Sequence, residues 1–117
     1  MESNELSERL FNFAVRTLKF LCKLPDKPEF RTIRYQLSKS STSSGANYEE
    51  AQAGSSKADF NNKIRISLRE MRESNYWFRI IKATFDGYAG DSELIWLINE
   101  SSELKKILGS IVNKTRK

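Results

Sequence analysis

From Lys57 to Phe85 the chain has neither proline nor glycine, and apolar or small residues return every three or four positions: Phe60, Ile64, Ser67, Met71, Ser74, Phe78, Ile81 and Phe85. That spacing matches the 3.6-residue turn of an α-helix rather than the two-residue period of a strand. At 1.5 Å per residue it predicts a rod about 43 Å long over residues 57–85. Leu68, Trp77 and Ile80 broaden its apolar stripe.

Three further helices are expected. The first runs from about residue 5 to 24, capped by Asn4 or Ser3 and stopped by Pro25. Its stripe is Leu6, Leu10, Phe13, Leu18, Leu21 and Leu24, and Phe11, Val15, Phe20 and Cys22 widen it beyond a two-helix seam. So wide a stripe points to burial between subunits. Cys22, beside Phe20 and Leu21, reads as a small buried hydrophobe.

The second helix is expected over 29–53, just after Pro28, with Phe30, Ile33 and Leu37 facing inward. Within it the run Ser38 to Ala46 sets two rules against each other. Serine and glycine are poor helix formers and favour a flexible linker. Against that, Leu37, Ser41, Ser44, Tyr48 and Ala51 keep the helical period, and small residues there would let two helix backbones approach closely. A continuous helix is the reading adopted.

Gly54-Ser55-Ser56 then ends this helix and caps the third, with Asp59 at the capping-box position. A turn over Asp86–Asp91, with two glycines, leads to a fourth helix over 92–113 capped by Ser92 or Asp91. It carries Leu94, Leu97, Ile98, Ser101, Leu104, Leu108, Ile111 and Val112, and it frays into a basic tail over 113–117. No strand-like alternation bounded by turns occurs. Short connections make neighbours antiparallel, so residues 1–117 predict a single all-α domain, an up-down-up-down four-helix bundle.

Several chemistries are disfavoured. The chain has no histidine and one cysteine, which removes the usual general base, an internal disulfide and a thiolate metal cluster. Glu49, Glu50, Glu70 and Glu73 lack the histidines of a carboxylate di-metal bundle. No phosphate-binding glycine loop or serine elbow is present. The expectation is a protein that is not an enzyme and uses no metal or cofactor. No apolar run approaches the ~20 residues of a membrane span, and the opening residues are acidic and polar, so a cytoplasmic location is expected.

The net charge of +5 suggests an anionic partner, and its distribution is more informative than its sum. Lys63, Arg65, Arg69, Arg72, Arg79 and Lys82 crowd the third helix, with Arg65, Arg69 and Arg72 near one meridian and Arg79 not far from it. Such a ridge suits the phosphate backbone of RNA or DNA. The alternative is a solvated face, paired with Glu70, Glu73 and Asp86 or with a second subunit. Tyr76, Trp77 and Phe78 together cover most of the helix girth, so one or two must point away from the core. Trp96 sits in a similarly apolar run. Phe11, Val15, Tyr76, Trp77 and Trp96 are therefore candidates for a subunit interface, since aromatics anchor interfaces. The leading reading is a non-catalytic homo-oligomer that binds nucleic acid. Its competitor is a structural module that docks a protein partner.

The stretch Gln36-Leu37-Ser38-Lys39-Ser40-Ser41-Thr42-Ser43-Ser44-Gly45-Ala46-Asn47-Tyr48-Glu49-Glu50-Ala51 resembles the signature of the bacterial four-helix-bundle proteins encoded within 23S rRNA intervening sequences. Ser56 to Phe60, Ile66 to Glu73 and Tyr76-Trp77 resemble that family's third helix, and the likeness spans about residues 5–112. The resemblance implies an antiparallel bundle assembled as a ring-like homopentamer, a helical serine run and no catalytic residues. Relatives include an accessory protein of diversity-generating retroelements, thought to bind nucleic acid and a reverse transcriptase through a basic surface. Asn47, Glu50 and Glu73 are the polar residues tied to the motif. Asn47 and Glu50 are expected to be partly buried and to bond to the third helix or a neighbouring subunit. The chain departs from the commoner pattern at Tyr48-Glu49-Glu50-Ala51, where many members carry Ile-Ala-Glu-Gly.

Overall fold

A computed structural model describes residues 1–54 and 56–115. They form α1 (Ser3–Leu21), α2 (Pro28–Ala53), α3 (Lys57–Thr84) and α4 (Ser92–Thr115), with a 3₁₀ turn at Asp86–Tyr88 between the last two. Among the described residues there is no strand. Packing joins α1 to α2, α2 to α3, α3 to α4 and α4 back to α1, which closes a four-helix bundle. Its extents are 45 × 22 × 21 Å, so its long axis is that of a single uninterrupted helix.

Capping follows the expected chemistry at two of the helix starts. The Ser56 hydroxyl accepts the Asp59 backbone N–H at 3.0 Å, and the Asp91 carboxylate accepts that of Leu94 at 2.9 Å. Pro28 occupies the first turn of α2, where a missing N–H costs nothing. At α1 the expectation fails, because the cap position is Glu2, without a side-chain bond, and Ser3 and Asn4 lie inside the helix. The other end of α1 also differs. The backbone tightens after Leu21, with Lys23 N–H bonding to the Phe20 carbonyl and Leu24 N–H to that of Leu21. Arg34 of α2 also donates to the carbonyls of Leu21, Leu24 and Pro25, at 3.4, 2.8 and 3.2 Å.

This earlier ending corrects two expectations. Cys22 is exposed, because it opens the turn on the outer side while Phe20, Leu21 and Leu24 hold the core. Leu18 is 41% exposed, and Thr17 takes its place inside with its hydroxyl bonded to the Phe13 carbonyl at 2.8 Å. The α3 stripe is as expected through its middle: Ile64, Ser67, Met71, Ser74, Phe78 and Ile81 are all fully buried.

The serine run of α2 is helical throughout. Its buried face consists of Leu37, Ser40, Ser41, Ser44, Tyr48 and Ala51. Two hydroxyl contacts fasten it to α3. Ser40 and Ser74 share a hydrogen bond of 2.8 Å. Ser44 donates to the Ser67 carbonyl at 2.8 Å, and Ser67 donates to the Ser44 carbonyl at 2.7 Å. A hydroxyl that reaches a carbonyl on the opposite helix requires close backbones, so small side chains set the spacing of the seam. Poor intrinsic propensity is overridden here by packing and by the bonds of Ser40 and Ser44, while the buried Ser41 hydroxyl has no partner among the described residues. On the other side of α2, Gly45 faces Leu10 of α1, where an added Cβ would lie 3.4 Å from the Leu10 Cβ.

Candidate nucleic-acid interface

The sequence-predicted basic residues divide into separate groups. Arg65, Arg69 and Arg72, spaced by four and three along α3, share one groove of about 300 Å³ with Leu68 and with Gly109, Val112 and Asn113 of α4. Residues at such spacings are neighbours on a helix surface, about 5–6 Å apart at Cβ. All three arginines are exposed, whereas Leu68 and Val112 are buried beneath them, so the accessible surface of the groove is cationic. Arg69 lies 3.5 Å from the carboxylate of Glu70, itself 8% exposed. Of the three acids in the alternative reading, Glu70 pairs with the ridge, while Glu73 and Asp86 do not among the described residues. The Glu73 carboxylate instead accepts the Trp77 indole N–H at 3.3 Å.

Arg79 and Lys82 line a different, shallower depression with Ala83, Ala89 and Ile98, nearer the α3–α4 connection. Arg79 donates through Nε to the Asn75 side-chain oxygen at 2.9 Å and lies 5.8 Å from the centre of the Tyr76 ring. Lys63 is half-buried and lines neither surface. Of the expected ridge, Arg65, Arg69 and Arg72 line one groove and Arg79 lines another. Arg116 and Lys117, at the end of the expected basic tail, lie outside the described residues, as does Ser55.

Asn75, which sequence reasoning passed over, is 2% exposed and joins α3 to α4. Its amide nitrogen donates to the Ser101 and Ser102 hydroxyls at 2.9 and 3.1 Å and to the Ile98 carbonyl at 3.3 Å. Two arginine clamps on α1 were missed as well. Arg9 grips Glu100 with two parallel bonds, of 3.0 and 2.7 Å, and reaches Glu103 at 3.2 Å. Arg16 grips Glu93 at 2.9 and 2.6 Å, and its guanidinium lies 3.4 Å from the centre of the Trp96 ring. Hydrogen bonding to Arg16 holds the Glu93 carboxyl below its ordinary range, and the Arg16 pKa is raised in turn. A signal was present: Arg9 and Arg16 are seven apart, as are Glu93 and Glu100.

The interface candidates also separate. Phe11 is 71% exposed and Tyr76 is 50% exposed. Val15 is half-buried. Trp77 and Trp96 pack partly against the core, and the Trp96 face is covered by Arg16. Asn47 is half-buried but donates within its own helix, to the Ser43 carbonyl at 2.9 Å and hydroxyl at 3.1 Å, and not to α3. Glu50 is exposed. Tyr48, where the signature departs, is buried and donates its hydroxyl to the Ser3 carbonyl at 3.2 Å. Burial there, with Glu49 adjacent, raises the Tyr48 pKa.

A four-helix bundle with a tight serine seam and a cationic α3–α4 groove is thus the class of molecule defined by the coordinates. The chain belongs to the 23S rRNA-intervening sequence protein family, whose profile matches residues 2–110. It is similar to a crystal structure of a protein of unknown function from the S23 ribosomal protein family of Bacteroides thetaiotaomicron. That structure is 33% identical, superposes with a TM-score of 0.83, and the match covers 97% of this chain and 99% of the other. No curated protein matches the chain. No helix among the described residues is long and apolar enough to cross a membrane.

Proposed function

We propose that the chain is a non-catalytic, self-assembling bundle that holds a nucleic-acid backbone, RNA foremost, along the α3–α4 groove. The observation that carries this reading is the convergence of Arg65, Arg69 and Arg72 on one surface where, among the described residues, Glu70 is the one carboxylate in contact. Guanidinium forks match phosphate oxygens, and each neutralised phosphate releases a counterion. The lack of histidine supports a binding rather than a catalytic role.

In the same reading the helices run up-down-up-down and the protomers form a ring-like homopentamer. Residue pairs across the seams support the topology, since Ser40 meets Ser74 while Ser44 meets Ser67, and Arg9 meets Glu100 while Arg16 meets Glu93. An apolar groove of about 290 Å³ between α1 and α2, lined by Phe11, Val15 and Leu18, supports a subunit contact. That groove also favours the second reading, a module docking another protein.

Fluorescence anisotropy with a labelled structured RNA across a salt series tests the proposal. Affinity is expected to fall steeply with salt. The double variant R65Q/R72Q, which leaves the Arg69–Glu70 contact in place, is expected to flatten the log–log slope by about 1.4–1.8. Binding indifferent to both changes would leave the docking module as the function.

A further inference from the structure

Gly109 lies well inside α4, where glycine is the poorest helix former after proline. Neither of the usual reasons for tolerating it applies. The helix does not require a positive φ there, and a Cβ built on Gly109 meets nothing within 4 Å. Its surroundings give another reason. Gly109 lines the arginine groove on one side and, on the other, a second depression with Lys106, Ser110, Asn113 and Lys114. Positions 106, 109, 110, 113 and 114 follow helical spacing, so they form one exposed face of α4. Gly109 is thus a low saddle between two cationic rows, three arginines on α3 and two lysines on α4. Among the described residues, neither depression is lined by a carboxylate.

Building on the proposed nucleic-acid function, we infer that the phosphodiester strand crosses α4 at Gly109, between Arg65, Arg69 and Arg72 on one side and Lys106 and Lys114 on the other. The bare backbone at Gly109 lets the strand sit low enough for both rows to reach phosphate oxygens. Asn113, which lines both depressions, supplies a neutral donor at the crossing. A polyanion fits this surface better than an acidic peptide. The apolar residues here, Leu68 and Val112, are 7% and 5% exposed, so the surface offers a peptide no side-chain pocket to add to its charge.

The test uses the full chain and a labelled single-stranded RNA in anisotropy titrations over salt, with thermal melts in parallel. G109L is expected to melt higher than the wild type, since leucine is the better helix former and the site is open. It is also expected to bind RNA at least fivefold more weakly with an unchanged salt slope, because it obstructs the strand without removing charge. K106Q/K114Q is expected to lower the slope by about 1.4, while K19Q/K39Q, on α1 and α2, leaves it unaltered. Wild-type RNA affinity in G109L, or an unchanged slope in K106Q/K114Q, overturns the crossing while leaving the arginine groove as the binding site. Absence of salt-dependent binding of this RNA by the wild type overturns the crossing, and its absence with structured RNA as well overturns both. Displacement of RNA by polyglutamate at equal charge concentration overturns the choice of a nucleic acid over an acidic protein.

Discussion

The hydroxyl of Ser44 donates to the backbone carbonyl of Ser67 while the hydroxyl of Ser67 donates to the carbonyl of Ser44, at 2.8 and 2.7 Å. This reciprocal clasp fixes how near α2 and α3 lie, so the site should tolerate loss of a hydroxyl better than added bulk. S44A is expected to cost about 1 kcal/mol, the net worth of one hydrogen bond. S44L is expected to cost about 3 kcal/mol or more through overpacking. Urea midpoints of the two variants give the comparison, and equal destabilisation would refute a seam set by side-chain size.

Asn75 shares the two hydrogens of its amide nitrogen among three nearby acceptors and receives Arg79 on its oxygen. Truncation leaves those groups buried or loosened. N75A is expected to lose about 2 kcal/mol of stability by denaturant unfolding, in the range for a broken buried polar contact. A change under 0.5 kcal/mol would show that the network is dispensable.

The Glu93 carboxyl, held by Arg16 below its ordinary value of 4.5, is a folded-state acid with a depressed pKa. Its contribution is therefore present above about pH 4.5 and disappears as pH falls through the lower folded value. The side chains of Arg16 and Glu93 are 33% and 27% exposed, so the pair contributes about 1 kcal/mol or less. The stability gap between wild type and E93Q is expected to be largest above pH 5 and to close in acid. A gap that stays constant from pH 6 to pH 3 contradicts the assignment.

Phe11, at 71% exposed, borders the apolar α1–α2 groove. In the proposed assembly F11D places a carboxylate where a neighbouring subunit packs. Light scattering coupled to size exclusion is expected to report a shift to smaller species, with self-association weakened at least tenfold and helical circular dichroism unchanged. An unaltered mass would move the subunit contact to another face.

How far these features can be read from the chain depends on whether they are local. The α3 stripe is legible because each of its positions repeats a period, and the Ser-rich part of α2 is legible for the same reason despite its composition. Leu18 and Cys22 were misplaced because one residue rotates a helix by about 100°, and the tightened end of α1 depends on Arg34, thirteen residues beyond Leu21. Asn75 adjoins the stripe, yet the partners of its amide nitrogen lie 23 to 27 residues away and emerge only from packing. Of the basic residues, the arginine triad kept its shared face because all three lie within two turns of one helix. Arg79 left it through its bond to Asn75. The contribution of α4 to the cationic surface requires knowing which of its faces borders α3.

The four edges of the bundle are held by different chemistry. Packed serines join α2 to α3, whereas the sparser α1–α4 edge relies on Arg9 with Glu100 and Arg16 with Glu93. Ionic strength weakens the second kind of fastening, acid releases its Arg16–Glu93 part, and the first kind is spared both. Amide exchange should therefore begin in α1 and reach the α2–α3 slab last. Because Phe11 and Leu18 ride on α1, the element expected to exchange first also carries the oily patch through which copies would meet in the proposed assembly, which would tie stickiness and local loosening together in one helix.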